Sequence, residues 1–212
     1  MAPLYLGSTA IAKVYKGSTE LAQNYLGDNA LLSSGPVVTL QQGASNYFAI
    51  NSTTASGKYY FEAEFYSLLG QASNYGTMMV GLYTSGYVDG WQNLRARSYY
   101  SSNGNRYKGT TSYSYGSNYT EGDIIGVAFN GDADEITYYK NGTSQGLAFS
   151  GTEGDSNFGI QLSTGLYAYS AKLYFTSAEW NYSAPSGFNE WTAAKNAYDN
   201  NNITTNGSSK TG

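Results

Sequence analysis

The chain contains no cysteine and no histidine among its 212 residues. Their absence removes disulfides, thiolate nucleophiles, Ser–His and Cys–His catalysis, zinc sites of the ordinary kind and any histidine pH switch. Charge is scarce too. Only 12% of residues are Asp, Glu, Lys or Arg, the net charge is −4, and the 11 Lys plus Arg are too few for the basic stripe that a phosphate backbone demands, so no nucleic-acid partner is expected. No apolar run approaches the ~20 residues of a membrane-spanning helix, so no membrane insertion is expected. The start, MAPLYLGST, breaks into turn residues at once, and no secretory signal is expected there. No cofactor, metal or enzymatic activity is expected.

What is present in excess is tyrosine: 23 Tyr against 8 Phe and 3 Trp. A tyrosine ring offers large, rigid, half-polar contact area, so such a composition fits either a recognition surface or plain β-propensity. The chain also repeats itself. From Tyr5 the decads YLGSTAIAKV, YKGSTELAQN and YLGDNALLSS follow one another. Ten is even and side chains alternate with period two, so Tyr5, Tyr15 and Tyr25 share strand parity, as do Ile11, Leu21 and Leu31. Gly7, Gly17 and Gly27, each followed by Ser or Asp, supply turns. Some thirty residues bury too little to fold alone, since domains below about 40 residues need disulfides, metals or partners. Without Cys or His, partner chains remain. Residues 1–34 are therefore expected to be an attachment or trimerising segment, with Tyr5, Ile11, Tyr15, Leu21, Tyr25 and Leu31 as its contacts.

After Gly35 and Pro36 the pattern changes to short alternating strands between Gly, Ser and Asn clusters, an all-β domain over residues 35–191. In KYYFEAEF, Tyr59, Phe61, Ala63 and Phe65 take one face, while Tyr60, Glu62 and Glu64 take a face expected to be solvated. Met78, Val80 and Leu82, the IIGVAF run (124–129), Phe158, Ile160 and Leu162, and Ala171, Leu173 and Phe175 follow the same logic. Asn141-Gly142, between two extended runs, predicts a tight hairpin. The one stretch with helical spacing is EWTAAKNAY (190–198), where Trp191, Ala194 and Tyr198 fall at i, i+3 and i+7. The polar end is expected to be a tail, residues 192–212.

Residues 57–191 resemble a SPRY domain, a bent antiparallel β-sandwich. GKYYFEAEF is similar to the family's opening strand, VGLYTSG to its next core strand, YYSSNGNRYKG to a segment with a short hairpin, and EGDIIGVAFNGDADEITYYKNGTSQGLAF to its most distinctive stretch. AKLYF followed by Pro185-Ser186-Gly187-Phe188 resembles the closing strand and its P-x-GF ending. The loop from Gly86 to Ser98 and the Asn130-Gly131 pair depart from the family pattern. The resemblance implies a binding scaffold without enzymatic activity, its partner site in loops at one end. The YLGST decads resemble N-terminal repeats of phage tail and other virion proteins. Together these imply a virion structural protein, of tail-fibre or receptor-binding type, binding a host-surface glycan or protein and contacting other virion proteins and sister chains through residues 1–34. The alternatives are a capsid decoration or head-fibre protein and a cellular SPRY peptide-binding module.

Within GYVDGWQNLRARSYY, the residues Tyr87, Asp89, Trp91, Arg95, Arg97, Tyr99 and Tyr100 concentrate the aromatic and Arg anchors that binding sites favour. An Arg there suits a carboxylate, and a ring suits a sugar face, so an acidic surface glycan is chemically sensible. Against this stands a structural role, with Trp91 plugging the sandwich edge. Tyr113 and Tyr115, with Tyr107 and Tyr119, form either an adjacent contact ridge or an exposed hairpin. Asp132, Asp134 and Glu135 fail the spacing of an EF-hand loop and read as a turn. Asp123 reads as part of the turn entering IIGVAF.

Overall fold

The computed structural model describes residues 4–6, 9–11, 14–16, 19–21, 37–41, 46–67, 78–84, 96–151, 157–164 and 168–211. Each of the first two decads forms a minimal antiparallel hairpin, β1 (Leu4–Leu6) with β2 (Thr9–Ile11) and β3 (Val14–Lys16) with β4 (Thr19–Leu21). The register pairs Leu4 with Ile11 and Tyr5 with Ala10, and the second hairpin repeats it as Val14 with Leu21 and Tyr15 with Glu20. The decad period thus survives as backbone geometry. The expected equivalence of the tyrosines with Ile11 and Leu21 does not, because a two-residue reversal exchanges odd and even positions between paired strands. Tyr25 and Leu31 lie outside the described residues.

The sandwich begins with β5 (Val37–Leu40) and β6 (Asn46–Ile50), followed by β7 (Lys58–Ser67), β8 (Met78–Thr84), β9 (Arg97–Tyr100), β10 (Arg106–Lys108) and β11 (Thr111–Tyr113). Then come β12 (Ile124–Asn130), β13 (Glu135–Lys140), β14 (Thr143–Ser150), β15 (Phe158–Thr164), β16 (Tyr169–Tyr174) and the two-residue β17 (Asn189–Glu190). A helix α1 (Thr192–Asp199) and two strands, β18 (Ile203–Asn206) and β19 (Ser208–Thr211), complete the order. One sheet runs β11-β10-β9-β8-β15-β6-β18, the other β14-β13-β12-β7-β16-β5-β19, with β17 added parallel to β7. All other described pairings are antiparallel.

Alternation accounts for the core. Phe61, Ala63 and Phe65 on β7, Val80 and Leu82 on β8, Ile125, Val127 and Phe129 on β12, Ile160 and Leu162 on β15, and Ala171 and Leu173 on β16 meet in one cluster between the sheets. The Asn-Gly turn is as expected: Asn141 and Gly142 have φ of 48° and 75°, the two left-handed residues that a type I′ hairpin requires. The helix matches its spacing, with Trp191, Ala194 and Tyr198 buried. Trp191 stacks on Tyr59 and Phe129 at 5.3 and 5.9 Å, plugging that end of the core.

Two expectations are corrected. Glu62 is not on a solvated face: it is fully buried. Segment 176–182 folds back over the outer face of β7, and there the Glu62 carboxylate accepts hydrogen bonds from the Tyr60 hydroxyl (3.0 Å), the Asn181 backbone and side-chain N–H (2.7 and 3.2 Å) and the Tyr182 N–H (3.0 Å). A buried carboxylate persists when donors surround it in this way. Glu64 likewise accepts from the Tyr174 hydroxyl. The polar end from residue 192 is no tail either. After α1, β18 pairs with β6 in one sheet and β19 with β5 in the other, so one short hairpin closes both sheets along the same edge. Gly207 makes the turn at φ 57°, where an added Cβ would meet the Asn46 side chain at 2.2 Å. An outermost strand is covered on one side only, so backbone pairing suffices and few apolar residues are needed.

Candidate functional site

At the opposite edge the last strands are β11 and β14, and the sheets there are bridged by tyrosines instead of being closed by strands. The Tyr115 hydroxyl donates to the Gly146 carbonyl oxygen (2.6 Å) and accepts from the Tyr138 N–H (3.1 Å). Burial pushes the Tyr115 phenol up to about 12, opposed by the Tyr138 N–H and by the neighbouring Arg106 charge. Beneath it lies a stack: Tyr99 stacks on Tyr138 at 5.3 Å with the rings inclined by 30°, and is edge-on to Tyr115 at 5.5 Å. Tyr99 is fully buried, and its hydroxyl donates to the Ser117 carbonyl oxygen.

The register on this side explains what else gathers there. Tyr99 pairs with Arg106, which pairs onward with Tyr113, and Arg97 pairs with Lys108. Directly paired residues share a face of the sheet, so Arg97, Tyr99, Arg106, Lys108 and Tyr113 all sit on the side turned toward the other sheet. From that sheet comes Phe149 of β14. The Arg106 guanidinium lies 5.1 Å from the Tyr113 ring centre and 5.3 Å from that of Phe149, and Arg97 approaches Phe149 at 5.8 Å. Phe149 is buried, whereas Tyr113 on β11 and Leu147 on β14 are exposed at 44% and 51%.

The predicted site residues divide accordingly. Tyr87, Asp89, Trp91 and Arg95 lie outside the described residues. Arg97 is 3% exposed and donates to the Ala96 carbonyl oxygen, so it supports the wall rather than facing a ligand. Tyr99 is likewise a core residue. Tyr100 is half-buried, edge-on to Tyr107 at 5.4 Å, with its phenol raised by burial. The expected tyrosine ridge breaks up: Tyr119 is fully buried, with its hydroxyl 2.9 Å from the carbonyl oxygens of Met78 and Tyr99, Tyr115 bridges the sheets, and only Tyr113 is well exposed. Arg106 was missed. Its signal is register, since the turn at 101–105 sets which residue of NRYKG faces Tyr99, and turn length is hard to read from SSNGN alone.

Asp123 occupies its expected turn. Its carboxylate accepts from the Thr120 N–H at 2.8 Å and the Asn141 side chain at 2.6 Å and pairs with Lys140 at 3.1 Å. Partial burial works against the charge there, but these donors hold its carboxyl below the ordinary value. Asp132 caps a neighbouring turn by accepting from the Gly57 N–H at 2.8 Å.

Residues 58–174 match the family model described as "SPRY domain", and the chain belongs to that family. SPRY domains are general protein-interaction modules, generally binding rather than catalytic. Among solved structures, the SPRY domain of human HERC1 is similar at 20% identity and a TM-score of 0.54, over 68% of this chain and 91% of that one. A human SPRY domain is similar at 22% identity and a TM-score of 0.44, over 72% of this chain and 94% of that one. The first of these likenesses is one of fold. No curated protein matches the chain.

Proposed function

We propose that the chain is a phage virion structural protein, of tail-fibre or receptor-binding type, in which residues 1–34 mount the SPRY sandwich on the particle and the sandwich adheres to the host surface. The observation that carries this reading is the arrangement of the two edges. The chain enters the sandwich at Val37, paired with Thr211 of β19, so residues 1–34 lead into the edge that the C-terminal strands close. The exposed Tyr113 and Leu147 and the half-buried Arg106 lie at the other, six strand intervals away, or roughly 30 Å at ~4.8 Å per interval. A module held by one edge and free at the other suits display.

The decads support the mounting half. Among the described residues their two hairpins pair with no strand of the sandwich, and isolated two-stranded hairpins are marginal in water, so a partner surface would stabilise them. Trimerisation with sister chains and contact with other virion proteins are the two forms that surface takes in this proposal. Many copies on one particle then turn modest single-site affinity into firm adhesion by raising effective concentration.

The test is incorporation. A chain beginning at Gly35 is expected to fold yet be missing from purified particles that carry the full-length chain. Equal incorporation of the two would sink the mounting role. Immunogold labelling of intact particles is expected to mark the tail. Label confined to the head would replace the tail-fibre form with capsid decoration, and no label at all would leave the cellular interaction module.

A further inference from the structure

We propose that the β11/β14 edge is a binding site for a carboxylate-bearing saccharide, with the Arg106 guanidinium as the carboxylate clamp and Tyr113 as the wall against which the sugar ring rests. This deepens the adhesion reading by naming the ligand class, and it rests on that reading for its biological setting only.

The clamp is defined by what Arg106 does not do. A guanidinium carries five N–H donors in a planar fork. The Arg106 guanidinium makes no hydrogen bond and no ion pair with any described residue, and it lies against the faces of Tyr113 and Phe149. Ring faces hold the plane of the guanidinium in place while leaving its N–H edge unused, which is how a bidentate carboxylate site is preorganised. Arg97 approaches the same Phe149 ring, and Lys108 pairs with Arg97 one step along the sheet.

The edge also selects against a peptide. An extended peptide binds a sheet edge by adding a strand, which needs a run of unpaired, regularly spaced backbone groups. Here β11 is three residues long, and the β13/β14 register shifts twice, between Ile136 and Thr137 and between Thr137 and Tyr139. Gly146 at φ 90° bends the strand further. Short and bulged edges refuse strand addition. What they present instead is exposed hydroxyl groups, on Thr111, Ser112 and Ser114, beside an exposed aromatic ring. Hydroxyls and a ring face are the groups that a sugar uses, and the guanidinium supplies the one charge that an acidic sugar needs.

The experiment is calorimetric titration of the full-length chain with a galacturonate oligomer and with a sialic acid oligomer, each compared with its carboxyl-reduced counterpart. Binding to at least one acidic oligomer, lost on carboxyl reduction, is expected. Arg106→Ala and Arg106→Gln should each weaken it by about tenfold or more, and Arg106→Lys, which keeps the charge without the fork, should fall between. Thermal midpoints read alongside, close to that of the parent chain, show that the variants are folded; the Gln variant keeps much of the stem that packs against the rings and serves if Ala unfolds. No binding to either oligomer, equal binding to the reduced forms, undiminished binding in the folded variants, or a preference for an acidic peptide would overturn the proposal. Because the titration involves no particle, its failure leaves the mounting role standing, and equal incorporation of the Gly35 truncation leaves this site standing.

Discussion

The two edges of the sandwich solve the same problem in opposite ways. Both end in strands whose outer backbone groups lack a neighbour among the described residues. At the β18/β19 edge a nearly charge-free hairpin joins the sheets, and Tyr198 of α1 locks it: the ring packs on Phe48 and Phe175 at 5.9 and 6.2 Å, the hydroxyl donates to the Val37 carbonyl oxygen, and Lys210 donates to the Tyr198 carbonyl oxygen. At the β11/β14 edge no strand crosses, and bridging falls to side chains. The lesson is that tyrosine has two separate uses here, as buried joinery at both edges and, in Tyr113, as exposed surface at one of them, although composition alone treats all 23 alike.

Replacing tyrosines is therefore the sharpest way to break the comparison. Tyr198→Ala should lower stability by about 3–5 kcal/mol in denaturant unfolding, the range for deleting a large buried ring. A loss under about 1 kcal/mol would mean that the closing edge is not held as described. Alkaline titration comes next. Tyr119 and Tyr138 are completely buried, and burial raises both phenols well above 10.0. A group whose folded value is raised contributes stability that is fully present below its unfolded value and lost as the pH climbs toward the folded one. Stability should thus decline above pH ~10, with phenolate absorbance from these rings appearing only together with unfolding; reversible ionisation of every tyrosine in a folded chain would contradict their burial.

Smaller effects refine the picture. Gly207→Ala forces a Cβ into a left-handed turn and against Asn46, and should cost about 1–2 kcal/mol, read as a lower thermal midpoint. Tyr115→Phe removes one bridge between the sheets and should cost about 1 kcal/mol, the net worth of a typical hydrogen bond. At the bottom, Tyr113→Ala should change stability by less than about 0.5 kcal/mol, as exposed substitutions do, while weakening saccharide binding. If Tyr113→Ala proves as damaging as Tyr198→Ala, the two edges are not the different things described here.

Much of the fold was legible because it follows from local rules. Period-two alternation marked Phe61, Val80, Val127, Ile160 and Leu173 as inward from their own neighbours, and Asn141-Gly142 declared its turn within two residues. The spacing of Trp191, Ala194 and Tyr198 did the same for the helix. The failures share one cause, which is that coverage comes from far along the chain. Glu62 looked like a solvated acid because nothing near it signals that Asn181 and Tyr182, some 120 residues later, will deliver the donors that bury it. The strands of the polar end were illegible for a related reason: an outermost strand takes its place through backbone pairing, which side-chain patterning does not encode. In the candidate site, Tyr113 is legible from sequence, whereas Arg106 becomes visible only through register and the burial of Arg97 only through the fold.

What the amino-acid order decided by itself is the inner surface of each sheet, the tight turn, the repeated hairpins and the family, since all of these depend on residues adjacent or nearly adjacent in the chain. What only the tertiary structure decided is which outer surfaces and edges are covered. That depends on where segment 176–182 and the final hairpin land, and on Phe149 arriving from the opposite sheet to hold Arg106 in place. Burial of a given side chain is a property of whatever packs against it, and the partners that matter most here lie tens of residues away or more.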